Sequence, residues 1–149
     1  NSGIVEGLTL GQGISGYINR PILFNDLTII ENFYYFFMLA QKDIDIEDLL
    51  DRLHYLNIKN ENKKTKHIST GMQKKVSILR SILTKSSLYI FDEPFSGLDT
   101  ESIQKIKQLF IKDVQEHNSS IIYTNHNHDN HQSDMTSIYF LTNGRLRRK

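Results

Sequence analysis

The chain has 149 residues, enough for one domain with its own core and too few for two of ordinary size. Lysine and arginine number 18 against 17 acids, so the charge excess that attracts nucleic acid is missing and no such partner is expected. The absence of cysteine excludes disulfides, thiolate metal sites and a cysteine nucleophile, and fits a reducing compartment.

The chain opens on Asn1 with no basic-then-apolar leader, which reads as a cut with further sequence expected upstream. Glycines at 3, 7, 11, 13 and 16, set between Leu8, Leu10, Ile14 and Ile18, predict two short strands joined by tight turns. Thr28 and Glu31 then have the spacing of a capping box and open a helix with Ile30, Phe33, Phe37 and Met38 on its apolar face. Its most apolar part, Phe33 to Ala40, is far shorter than the roughly 20 residues of a membrane span. A second helix is predicted from Ile46 to Leu56 on the recurrence of Leu49, Leu50, Leu53 and Leu56. The polar stretch 59–66 reads as a loop, and Met72, Val76, Leu79 and Leu83 place a third helix after it. Leu88-Tyr89-Ile90-Phe91 is too short for a helix and reads as a strand covered on both faces. A helix from Thr100 to Glu116, with Ile103, Ile106, Leu109, Phe110 and Val114 inward, precedes strands at Ile121 to Tyr123 and Ile138 to Leu141. Strands alternating with helices mean an α/β sheet.

The strongest chemical signal is Leu88-Tyr89-Ile90-Phe91-Asp92-Glu93-Pro94-Phe95-Ser96-Gly97-Leu98-Asp99. A strand that ends in two carboxylates sets them at the edge where open α/β sheets bind ligands. The first suits magnesium, which takes oxygen donors and keeps several waters, and the second is free to accept a proton from an attacking water. Adjacent carboxylates alone read more readily as a plain polar turn. Here they stand among further motifs, and the ensemble resembles the ABC ATPase family. Asp92 corresponds to its magnesium aspartate, Glu93 to its catalytic glutamate, and the turn ending in Asp99 to the loop that follows them.

Upstream, Ile68-Ser69-Thr70-Gly71-Met72-Gln73-Lys74-Lys75 resembles the family's signature motif ahead of a helix. The resemblance implies that Ser69, Thr70, Gly71, Met72 and Gln73, with Asp99, contact ATP held by the opposite subunit. A helix start with a serine hydroxyl and unpaired amides favours such an anion. Thr70 stands where glycine is common, as in the Ser-Thr-Gly-Met variant of bacterial exporter subunits. Downstream, Ile121-Ile122-Tyr123-Thr124-Asn125-His126 resembles the switch strand, which implies that His126 senses the γ-phosphate and helps to place the water. Gly16-Tyr17, Leu23 to Thr28 with Glu31-Asn32, and Leu141 to Leu146 extend the resemblance over nearly the whole chain.

Two departures stand out. None of the eight glycines precedes a lysine, so the phosphate loop G-x-x-x-x-G-K-[S/T] is absent, and the chain alone is expected to be inactive. Between Tyr17 and Leu23, where the family has a glutamine that contacts magnesium, the residues are Ile18-Asn19-Arg20-Pro21. Asn19 offers a shorter amide there and Arg20 cannot ligate a cation, so either the glutamine is replaced or the segment is shifted by a deletion.

Other patterns fail on context. Gly11-Gln12-Gly13-Ile14-Ser15-Gly16 matches the dinucleotide fingerprint, but Tyr17-Ile18 and a proline follow it in place of a helix. A kinase glycine loop fails for want of His-Arg-Asp and Asp-Phe-Gly. His126, His128 and His131 fit solvated loop residues better than a zinc site. The aromatic run 33–37 reads first as core and second as contact with a membrane partner.

The expected architecture is an incomplete P-loop NTPase domain of the ABC ATPase kind. Its sheet core comes from 1–27 and 86–149, with a helical subdomain inserted over 28–85. The resemblance implies that the intact protein uses ATP and magnesium, pairs with a second ABC ATPase subunit and a transmembrane permease, and lies on the cytoplasmic face of a membrane. The rival expectations are a soluble ABC ATPase of DNA repair or translation, and a remnant that regulates without hydrolysing.

Overall fold

The computed structural model describes residues 21–125 and 137–148, together with the backbone of 14–17. In chain order the elements are β1 (Ile14–Tyr17), α1 (Ile29–Leu39), α2 (Ile46–Tyr55), a 3-10 turn (Thr65–His67), α3 (Thr70–Leu83), β2 (Leu88–Phe91), α4 (Thr100–His117), β3 (Ser120–Tyr123), β4 (Tyr139–Thr142) and β5 (Arg145–Arg148). β2 lies between β1 and β3, parallel to both, with Phe91 opposite Tyr17 on one side and Tyr123 on the other. Parallel neighbours need crossovers, and here these carry helices.

Each α-helix begins on a residue that caps free amides. In the Thr28–Glu31 box, Thr28 Oγ1 accepts from the Glu31 amide at 3.1 Å and Glu31 Oε2 accepts from the Thr28 amide at 2.7 Å. Asp45 caps α2, Ser69 caps α3 and Asp99 caps α4. The core then forms from one stripe of each helix: Ile29, Phe33 and Phe37 of α1, Leu49 and Leu53 of α2, Val76, Leu79 and Ile82 of α3, and Ile106 and Phe110 of α4. Tyr89 and Phe91 of β2 complete it, with Phe91 stacked on Phe110 at 4.8 Å between ring centroids.

Three expectations about facing need correction. Met38 is 65% exposed, because the buried stripe of α1 runs through Ile29, Asn32, Phe33 and Phe37. Asn32 takes a core place because its amide satisfies the Phe24–Thr28 turn: Oδ1 accepts from the Phe24 amide at 2.8 Å, and Nδ2 donates to the carbonyls of Phe24, Leu27 and Thr28. On α4, Val114 is exposed and Asp113 buried, where Ser119 Oγ donates to its carboxylate at 2.9 Å. On β2, Ile90 is 47% exposed beside Ile122 of β3 at 57%. The contacts of α3 and α4 with β2 run through Tyr89 and Phe91, and on the opposite face Leu88 is buried while Ile90 is open.

β4 and β5 form a separate antiparallel hairpin whose two-residue turn, Asn143-Gly144, has φ of 50° and 73°. Two left-handed positions in succession suit asparagine and glycine. Among the described residues no helix is long and apolar enough to cross a membrane.

Candidate functional site

β2 ends where its sequence stops fitting a ladder. Pro94 has no amide to donate, and Glu93 before it turns to a φ of 47°, a left-handed conformation uncommon outside glycine. Asp92 and Glu93 thus stand at the C-terminal end of the central strand. The parallel ladder continues one step further on the neighbouring side, where the Thr124 amide donates to Phe91 O at 3.0 Å. The Thr124 hydroxyl then accepts from the Glu93 amide at 2.9 Å and donates to Asp92 Oδ1 at 2.8 Å.

Asp92 is exposed, and its second oxygen has no hydrogen-bond partner among the described residues. A carboxylate oxygen with room for water is the donor type that magnesium takes. No group of three His, Cys, Asp or Glu among the described residues is placed to hold a metal. The described residues therefore fit an ion held by one carboxylate together with waters and phosphate oxygens.

The start of α3 closes on the turn after β2. Ser69 Oγ accepts from the Met72 amide at 3.2 Å, and Ser69 and Thr70 are exposed. Gln73 Nε2 donates to Thr65 O at 2.8 Å, so this side chain anchors the helix start to the 3-10 turn. A Cβ built on Gly71 would lie 3.6 Å from Leu98 Cδ2 and 3.8 Å from Gly97 O, which is ordinary contact, so the helix backbone here rests directly on the Ser96–Asp99 turn. Lys74 is 8% exposed and donates Nζ to Ser96 O at 2.7 Å. Burial holds its ammonium below the usual lysine range, and the nearby Glu93 charge opposes that shift. Asp99 accepts from the Ser102 amide at 2.8 Å and from Ser102 Oγ at 2.9 Å, and these bonds hold its carboxyl below the usual range.

The Ser69–Gln73 segment, distant in sequence, thus packs on the Ser96–Asp99 turn, to which Lys74 also bonds, and that turn follows the Asp92–Glu93 pair directly, with the Ser96 amide donating to Glu93 O at 3.3 Å. His126, His128, His131, Asn19 and Arg20 lie outside the described residues. Sequence reasoning missed two contributors, Thr124 and Lys74. Lys74 stands on the face of α3 that also carries Ile78 and Leu79, where a lysine at a core position was the available signal. Thr124 gave no signal of its own, because its role follows from the pairing of β3 with β2.

A second surface surrounds Phe24. Its ring meets Tyr35 edge-on at 4.6 Å and Phe36 at 5.6 Å, and the Arg80 guanidinium lies 3.7 Å above the Phe36 ring. Burial lowers Arg80 to about 10, and Nη1 donates to Ile22 O at 2.6 Å. Ile22, Phe24, Tyr34, Met38 and Leu39 are exposed.

A family model described as ABC transporter matches residues 8–96. The cytochrome c biogenesis ATP-binding export protein CcmA of Idiomarina loihiensis is 32% identical over 129 residues, which cover 81% of this chain and 58% of that protein. The ABC transporter ATP-binding protein YcbN of Bacillus subtilis is 34% identical over 135 residues, covering 89% of this chain and 43% of that protein. The chain thus spans about half the length of these relatives. Among solved structures, cbiO1 of Clostridium perfringens, part of the ABC transporter complex cbiONQ, superposes with a TM-score of 0.69 at 21% identity, over 91% of this chain and 56% of that one. At that identity the likeness establishes the fold, that of an ABC ATPase domain.

Proposed function

We propose a function from one established premise: the chain belongs to the ABC transporter family, and it resembles that family's ATP-binding subunits. The whole protein hydrolyses ATP between two such subunits and couples that step to a transmembrane permease, on the cytoplasmic face of the membrane. The chain contributes one ABC ATPase domain in part, with a helical subdomain over 28–85 set into a sheet core. The phosphate loop that this reading requires is not among these residues.

The observation that carries this reading is the acid pair at the end of β2, held by Thr124, with the start of α3 packed on the turn that follows the pair and Lys74 bonded to Ser96 O of that turn. Glu93 accepts the proton of the attacking water as general base. Asp92 offers a carboxylate oxygen to magnesium, which when bound offsets phosphate charge. Ser69, Thr70, Gly71, Met72 and Gln73 present the helix start to the γ-phosphate of the opposite subunit, Gln73 by anchoring that turn, and Asp99 fixes the facing loop. His126 orients the water and Asn19 faces the metal, both on the resemblance alone. The apolar side chains left exposed at Phe24 and, on α1, at Tyr34, Met38 and Leu39 favour a permease partner over a freely soluble role, since apolar surface exposed on a helix is available to a partner.

The test is Glu93→Gln in the full-length protein. An amide keeps the shape and loses the base, so ATP binding should persist while turnover falls by about 10²–10⁴-fold. Turnover at the parental rate would remove Glu93 from the role of general base.

A further inference from the structure

Thr124 follows β3 by one residue and is held there by the bond from its amide to Phe91 O. A threonine hydroxyl has one proton to donate, and here that proton goes to Asp92 Oδ1 while a lone pair takes the Glu93 amide proton. The two bonds act on different degrees of freedom. The first fixes the rotation of the Asp92 carboxylate, a broad two-fold torsion that a strand end otherwise leaves loose, and so fixes where the second oxygen stands. The other bond holds the peptide between Asp92 and Glu93. Beyond that peptide Glu93 sits at a φ of 47°, a conformation that L-residues with a Cβ keep only when their surroundings hold it.

We propose that Thr124 is a positioning residue for the acid pair: its single hydroxyl sets the metal-facing oxygen of Asp92 and the turned backbone of Glu93 together. This rests on the reading of Asp92 and Glu93 as metal ligand and general base. The outer partner of a ligating carboxylate, when removed, commonly costs about 10–100-fold in metal affinity or activity. Thr124 couples both acids to β3, the strand that leads to His126, so a displacement of β3 relative to β2 moves the ligand and the base as a unit.

The experiment uses the full-length protein, with its permease where one copurifies. Thr124→Val keeps the β-branched shape and loses the hydroxyl, and Thr124→Ser keeps the hydroxyl. The residue is exposed, so neither change threatens the core. Two readouts are taken: Mn²⁺ affinity by electron paramagnetic resonance with a non-hydrolysable ATP analogue, and kcat against KM for ATP. Thr124→Val should weaken Mn²⁺ and lower kcat by about 10–100-fold each, with KM for ATP moved by less than about threefold. Thr124→Ser should restore both to within about threefold of the parent. Unchanged Mn²⁺ affinity in Thr124→Val, or a loss that serine does not rescue, overturns the proposal. Asp92→Asn and Glu93→Gln are run beside them. If those two variants also leave metal affinity and turnover at parental values, the acid-pair reading itself has failed; if they impair them while Thr124→Val does not, only the role of Thr124 has.

Discussion

Tyr89 joins α3, which Ser69 caps, to β2, which Asp92 follows, and Tyr89→Phe tests that junction by removing one oxygen. The ring is fully buried and lies nearly parallel to Phe91 at 6.1 Å, a contact that phenylalanine keeps, so no cavity forms. In the parent the hydroxyl accepts from the Ser86 amide at 2.9 Å and donates to Ile82 O at 3.0 Å. Burial pushes the phenol well above its usual pKa, so it remains a neutral donor and acceptor. Ile82 O also accepts from the Lys85 amide at 3.0 Å and stays satisfied in the variant. The Ser86 amide does not, and Ser86 is buried. One orphaned buried donor costs about 1–3 kcal/mol. With a urea slope of about 2 kcal/mol/M, a loss of about 2 kcal/mol lowers the midpoint by about 1 M. Unfolding of the full-length protein is followed by far-ultraviolet circular dichroism. Ser86→Ala leaves the amide-to-hydroxyl bond in place and should cost clearly less. A Tyr89→Phe midpoint equal to the parent's would refute the reasoning, since the Ser86 amide would then have found another acceptor.

Asn32→Leu should destabilise by about 1–3 kcal/mol, seen as a drop in melting temperature. It strands the Phe24 amide, whereas the carbonyls of Phe24, Leu27 and Thr28 keep the donors Leu27, Thr65 and the residue-32 amide, respectively. Asp99→Asn should flatten the acid limb of stability. The folded carboxyl lies below its ordinary value because of Ser102, so the stability it contributes is present above about pH 3.8 and is lost as pH falls through the folded value. Urea midpoints measured from about pH 5 down to about pH 2 should therefore fall less in the variant, which keeps a capping amide oxygen.

Much of the fold was legible because it is written in short-range chemistry. Thr28 with Glu31, the recurrence of Leu49 and Leu53, and the four-residue apolar run before Asp92-Glu93 each specify an element within a few positions. What periodicity leaves open is rotation about a helix axis. The stripe of α1 turned toward Ile29 and Asn32 and away from Met38, because the turn of 24–28 needs an amide inside the core, and that need exists only once the chain has folded back on itself. Asp113 displaced Val114 on α4 for the same kind of reason, with Ser119 supplying the partner that makes a buried carboxylate tolerable.

The candidate site divides along the same line. Residue types that hold metal, move protons or bind anions can be recognised in a string, which is why Asp92, Glu93 and Ser69 stood out. Residues that aim those groups act through a register. Thr124 matters because parallel pairing sets Tyr123 beside Phe91, so that the next residue on β3 faces the first two beyond β2. Shift that register by one position and the hydroxyl at 124 no longer meets both acids, while every motif in the sequence stays intact. Lys74 makes the complementary point, since a core-facing ammonium would be costly unless Ser96 O and the Glu93 charge lay within reach. The positions that aim the chemistry were therefore open to inference only after the strands had been paired, and they are where changes in activity without loss of a motif should concentrate.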